Sequence, residues 1–231
     1  MDIIWGFLLD IYDIILKLGT VMAQLTESFL VTVQIFVLTL VFSMPLGLII
    51  AFGRMSKNRI IRAIVKAYIS LMRGTPLMLQ ILVVYFGPFY VFKVRMGNSY
   101  RFPAVIIAFA INYAAYFAEI YRSGIESMPV GQYEAAQILG YNKVQTFFKI
   151  ILPQVFKRVL PPVTNETITL VKDTSLAFTI SVAEMFTMAK QIAAADGNII
   201  PLMAAGVFYY IFNLVVAWVM EALEKKFSYY R

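Results

Sequence analysis

The sequence contains no cysteine and no histidine. The first absence excludes disulfides and thiolate sites and leaves the compartment open. The second excludes a Ser-His dyad or triad and any histidine-ligated zinc. No metal site and no cofactor are expected. Charge is scarce: Asp, Glu, Lys and Arg make up 14% of the 231 residues, against about 25% in an ordinary soluble domain. No glycine is followed by lysine, so the phosphate-cradling G-x-x-x-x-G-K-[ST] loop is missing. Any ATP consumed on behalf of this chain is hydrolysed by another polypeptide. No low-complexity tract and no repeat period is found.

What is present is mostly hydrocarbon. The apolar fraction is 61% and the mean hydropathy is +0.76. A membrane span takes roughly 20 mostly apolar residues, so the length allows about four to six spans and little else. Five hydrophobic stretches are expected to cross: about 28–52, 64–92, 102–121, one starting near Val159, and 199–220. Pro45 and Gly47 in the first stretch are read as features that a membrane helix tolerates, and the second stretch is read as one span with Arg73, Gly74 and Pro76 inside it. The fold class is all-α, a polytopic membrane protein. The amino end lacks the basic start and small-residue cleavage site of a signal peptide. Its polar Asp2, Asp10, Asp13 and Lys17 alternate with isoleucines and leucines. Residues 1–20 are therefore expected to form an amphipathic helix along the interface, and 21–231 one transmembrane domain.

Basic residues set the orientation. Arg54, Lys57, Arg59, Arg62 and Lys66 follow the first span; Arg122, Lys143, Lys149, Lys157 and Arg158 follow the third; Lys225, Lys226 and Arg231 close the chain. Cationic loops favour the cytoplasm, which places these three segments inside and the amino terminus outside. Lys93, Arg95 and Arg101 in the opposite loop run against the rule. The net charge of +7 is explained by these loops, so no nucleic-acid partner is expected.

The segment 122–158 is the one long interruption between spans. It is expected to start a helix near Pro129 and end it at Gly140 in the left-handed conformation. A second helix, YNKVQTFFKIILPQ, would place Val144, Phe147, Phe148 and Ile151 on one apolar face, with Pro153 turning the chain into the fourth span. Periodicity alone permits a mere linking hairpin. It equally permits a docking element, whose small alanines let Gln132 and Glu134 enter a partner's cleft.

EAAQILG followed by a spacer and ILPQ resembles the EAA signature of ATP-binding-cassette importer permeases. Glu134, Ala135, Ala136, Gly140, Ile150, Leu152 and Pro153 fall in register with it. RGTPLMLQ (73–80), AEIYRSGIESMPVGQYEAA (118–136), NETITLVKDTSLA (165–177) and SVAEMF (181–186) resemble the polar amino acid branch of that family. The resemblance implies a second permease subunit, cytoplasmic ATP-binding subunits that grip the EAA loop, an extracytoplasmic substrate-binding protein and a prokaryotic plasma membrane. It implies ATPase-coupling roles for Gln132, Glu134, Ala135, Ala136 and Gly140.

Ionisable residues at bilayer depth are functional candidates. Glu166 and Asp173 are seven apart and share a helical face with Thr169 between them, while Lys172 points about 100° away. Glu166, Thr169, Asp173, Thr174 and Ser175 offer the carboxylates and hydroxyls that an amino acid with a cationic side chain requires. Asn112, Glu119 and Arg73 complete the candidate pathway. Against this stands a plainer reading: Glu119 and Arg122 form an i, i+3 ion pair, and Arg73 pairs with a carboxylate or with lipid headgroups. The expected function is non-catalytic, the membrane subunit of an ATP-driven importer of polar amino acids, basic ones foremost. An ion-coupled transporter or channel using Glu166, Asp173 and Glu119 would leave the EAA segment without a role; against a membrane-embedded enzyme stand the missing His and Cys and the lack of a tight Asp/Glu cluster outside the fourth span.

Overall fold

The computed structural model describes the backbone of residues 2–227; the side chains of residues 1–15, 17 and 18 lie outside the description. Nine α-helices are described: α1 Asp2–Arg54, α2 Arg59–Gly74, α3 Leu77–Phe92, α4 Arg101–Glu126, α5 Val130–Ile138, α6 Lys143–Thr146, α7 Leu152–Asp173, α8 Met185–Asp196 and α9 Ile200–Lys226. The all-α polytopic fold is as expected. Among the described residues three stretches are long and apolar enough to cross a membrane: Gly19–Arg54, Asn98–Glu126 and Ile200–Lys226. The backbone of α1 runs unbroken through residue 20 into the first span. The amphipathic face expected of Asp2, Asp10, Asp13 and Lys17 falls outside the described side chains.

α4 is the hub. α1 crosses it on a stripe of small and polar residues, with Thr39, Ser43 and Ala51 fully buried. Gly47 makes the crossing close: a Cβ there would fall 2.8 Å from Cβ of Phe117 and 3.1 Å from the Ala114 carbonyl. Within a bilayer apolar burial gives helices little reason to associate, so close backbone approach through small residues has to supply the attraction. Pro45 is accommodated inside α1 as expected.

The second span differs from its expected form. It is broken into α2 and α3, which meet at 110°. Thr75, preceding Pro76, is extended at φ −121° and ψ 146°, because the proline ring excludes the helical conformation for the residue before it. The carbonyls stranded at the end of α2 are re-satisfied from outside the helix. Gln80 Nε2 donates to Met72 O at 2.9 Å and Thr75 O at 3.1 Å; Asn112 Nδ2, on α4, also donates to Met72 O at 3.1 Å.

The fourth span also begins differently. Pro153 does not turn the chain; it lies in the first turn of α7, preceded without a break by a π-helical turn over Phe147–Ile151. A proline ring collides with the carbonyl four residues earlier, here Lys149, and the wider π turn relieves that collision. α7 is too polar to pass as an apolar span, yet it packs between α4 and α9. The α8 start is fixed by Glu184. Its fully buried carboxylate accepts from Phe186 N at 2.8 Å, Thr187 N at 2.7 Å, Thr187 Oγ1 at 2.8 Å and the Tyr209 hydroxyl of α9 at 2.9 Å.

Candidate functional site

Two adjoining cavities open along α4 and α7 and share Tyr116 and Glu166. The first, about 380 Å³, is walled by Arg73, Glu119, Arg122 and Arg158. The second, about 440 Å³, is walled by Asn112, Tyr113, Thr169 and Asp173. The seven-residue spacing thus does place Glu166 and Asp173 on one face of α7. Lys172, between them in sequence, is exposed and lines neither cavity. Asp173 accepts a hydrogen bond from the Tyr113 hydroxyl at 2.7 Å. Glu166 is half-buried and, among the described residues, has no hydrogen-bond or ion-pair partner. One cavity is therefore cationic, the other anionic, with, at their junction, a half-buried carboxylate that makes no hydrogen bond among the described residues.

The cationic end is organised by one carboxylate. Glu119 receives Arg122 in a two-pronged contact, Nε to Oε1 at 3.2 Å and Nη2 to Oε2 at 2.7 Å. Arg54 from α1 and Arg73 from α2 approach it at 3.8 and 3.9 Å. The i, i+3 pair is thus real and is extended into a joint between α1, α2 and α4. Arg73 also lies over the Tyr116 ring, 5.2 Å from its centre. At the anionic end Asn112 Nδ2 donates to Gln80 Oε1 at 2.9 Å. Asn112 thereby ties the α2–α3 bend to the cavity wall.

Between Ser127 and Arg158, which both line the first cavity, the chain forms a second surface. α5 ends as expected: Gly140 has φ +77°, Gly140 N donates to Gln137 O and Tyr141 N to Ala136 O, both at 3.0 Å. This is the paired C-terminal closure that glycine permits. Asn142 and Gln145 cap α6 reciprocally. Ala136 is buried, whereas Glu134 and Ala135 face out; Gln132 is half-buried and accepts from Gln154 Nε2 at 3.3 Å. The expected apolar face of the second helix divides. Ile151 packs with Met128, Val155 and Val159, and Phe147 lies against them. Val144 and Phe148 remain exposed beside Ile138, which is 87% exposed, and Leu139. A π turn advances each residue by less than an α turn, so side chains spaced for one α-helical face fan apart.

Comparison with known proteins decides what this arrangement belongs to. Residues 43–229 match the family model described as "Binding-protein-dependent transport system inner membrane component". The chain belongs to that family. The permease is 38% identical over 201 residues to the L-cystine transport system permease protein of Bacillus subtilis, covering 86% of this chain and 84% of that one. It is 34% identical over 201 residues to the arginine transport system permease protein of the same organism, covering 87% and 90%. Its fold matches a crystal structure of an amino acid ABC transporter with histidines at a TM-score of 0.81 and 29% identity, covering 92% of this chain and 96% of that one.

Of the residues expected to line the permease pathway, Glu166, Thr169, Asp173, Asn112, Glu119 and Arg73 line the two cavities. Thr174 and Ser175 do not. Thr174 Oγ1 is buried and donates to Val171 O at 2.7 Å; Ser175 Oγ donates to Lys172 O at 2.8 Å. Sequence reasoning gave no role to Gln80, Tyr113, Tyr116 or Glu184. Gln80 and Glu184 stand alone as polar residues in apolar runs, a usable signal. The tyrosines carry none, because aromatic residues in membrane helices most often serve packing.

Proposed function

We propose that this permease forms the translocation route of an ATP-driven importer for polar amino acids, those with a cationic group foremost. The observation that supports it most is the unpartnered Glu166 at the junction of a cationic and an anionic cavity. An α-amino acid carries both charges. Its carboxylate suits the Arg73 side, while its ammonium, or a cationic side chain, suits Glu166 and Asp173, with Asn112 and Thr169 beside them. Burial of a charge is tolerable only against a partner of opposite sign, and this division supplies both. The named substrates of the related permeases, cystine and arginine, are amino acids with such groups.

Membership of the family supports the remaining machinery of this reading. A second permease subunit, itself or a homologue, closes the route; an extracytoplasmic binding protein delivers substrate; ATP-binding subunits engage Gln132, Glu134 and Ala135, while buried Ala136 seats the helix and Gly140 ends it. The basic segments and the α5 surface then lie in the cytoplasm and the amino terminus outside, in a prokaryotic plasma membrane. Rocking of paired helices, driven by ATP binding below, gives alternating access.

The test is uptake of radiolabelled amino acids into vesicles holding the reconstituted complex. Glu166→Gln and Asp173→Asn should each raise the half-saturating concentration about tenfold or more, the loss of one charge-assisted contact of about 1.5–3 kcal/mol. The complex should stay assembled. Unchanged uptake in both variants, or uptake without ATP, would overturn the proposal.

A further inference from the structure

α2 carries three distinct stripes. At about 100° per residue, Arg59, Arg62 and Lys66 fall on one, Val65, Tyr68, Ile69 and Met72 on a second, and Ile60, Ile64 and Leu71 on a third. The second stripe is docked. Val65 sits against Gly53, Ile69 is buried with Ala51, Ala115 and Ala118, and the Tyr68 hydroxyl donates to the Ile111 carbonyl. The third stripe is open: Ile60 is 70%, Ile64 65% and Leu71 57% exposed.

The basic stripe is open too. Arg59, Arg62 and Lys66 are exposed, and among the described residues none of them has an ion-pair partner. The sequence explains this shortage: no Asp or Glu stands between Glu27 and Glu119. Glu119 is already shared by Arg54, Arg73 and Arg122. Among the described residues no carboxylate of this chain is placed to neutralise the stripe.

We propose that the first turns of α2 bind the headgroups of anionic phospholipids. Arg59, Arg62 and Lys66 meet the phosphates, and Ile60 and Ile64 enter the acyl-chain boundary. A basic stripe on one side of a helix and an open aliphatic stripe on the other is the pattern of a helix lying at a membrane interface. The position agrees. α2 begins just beyond the end of the first span, and its Val65 packs at Gly53, next to that end. The adjoining end of α1 exposes Ile49 and Phe52, so the apolar surface continues from the span toward α2. The inference rests on the chain being a membrane permease, which the family match establishes independently.

The assembled importer is extracted from membranes containing phosphatidylcholine and phosphatidylglycerol, and the retained lipids are measured by native mass spectrometry. Wild type should retain phosphatidylglycerol in preference. Arg59→Gln/Arg62→Gln/Lys66→Gln should reduce that preference roughly fivefold or more, since each basic residue near the surface adds to the attraction. Lys93→Gln/Arg95→Gln, in the loop after α3, should leave it unchanged. Should the triple variant fail to assemble, Arg62→Gln alone should give a graded loss, and Arg62→Lys none. Equal phosphatidylglycerol retention in wild type and the glutamine variants would overturn the proposal. So would loss of a co-purifying subunit with lipid retention unchanged, which would assign the stripe to a protein contact.

Discussion

Gly124 and Val159 touch so closely that a Cβ on the glycine would fall 2.3 Å from a Val159 methyl. This contact joins the end of α4 to the first turns of α7. Arg158, one residue earlier, donates to Ser127 O at 2.5 Å and to Ser127 Oγ at 2.9 Å. The strand of chain that leads to α5 and the helix that carries Glu166 are therefore one packed unit.

Gly124→Val should destabilise that unit by about 1–3 kcal/mol through overpacking, read as a lower thermal midpoint of the purified complex. Gly47→Val should do the same at the α1–α4 crossing. Gly131→Ala, where nothing lies within 4 Å of the added carbon, should leave the midpoint within error of wild type.

Ile138 and Leu139 should matter more to partner binding than to folding. Ile138→Asp/Leu139→Asp places two charges on an already exposed patch and removes no internal contact. Co-purification of the ATP-binding subunits should fall by about tenfold or more, since loss of a central apolar anchor is worth about 2 kcal/mol or above. Glu134→Lys should act in the same direction. Membrane insertion, followed by the yield of the permease itself, should be unchanged in both.

Tyr113→Phe removes the one side-chain donor that Asp173 has among the described residues. The freed carboxylate should bind a cationic group more readily or lose its orientation, and a binding assay separates the two. Altered affinity of about two- to tenfold for arginine, with unaltered thermal stability, is the expected outcome, corresponding to one hydrogen bond of about 1 kcal/mol. Identical affinity would mean that Asp173 does not meet the substrate.

Glu184→Ala leaves two backbone N–H groups and the Tyr209 hydroxyl without their acceptor. A loss of about 3 kcal/mol is expected, from stranded donors and a missing helix cap. Glu184→Gln keeps one acceptor oxygen and should lose less. Thermal unfolding of the complex in detergent checks the order: Ala below Gln, Gln below wild type.

The parts of this molecule legible in the sequence are those governed by local rules. Gly140 closes α5 because a left-handed residue is needed there, and Gly140 shows it unaided. α4 and α9 announce themselves by length and hydrocarbon. Pro76 misleads because Pro45, with the same local chemistry, sits inside an intact helix. The difference lies in Gln80 and Asn112, whose amides stand ready to take the broken carbonyls; Asn112 arrives from another helix. Periodicity likewise shows that Phe148 and Ile151 have kindred chemistry. It cannot show that one is covered by Met128 and the other left bare.

The unbroken passage from α6 through the π turn into α7 has a mechanical consequence. Taken as a rigid rod from Leu152, α7 converts a small tilt at the coupling surface into a larger movement of its two carboxylates. At about 1.5 Å per residue, Glu166 stands about 21 Å and Asp173 about 32 Å along it. A tilt of about 5° at Leu152 carries Glu166 by about 2 Å and Asp173 by about 3 Å, by the same helix geometry. That is the length of a hydrogen bond, enough to make or break a contact of either carboxylate.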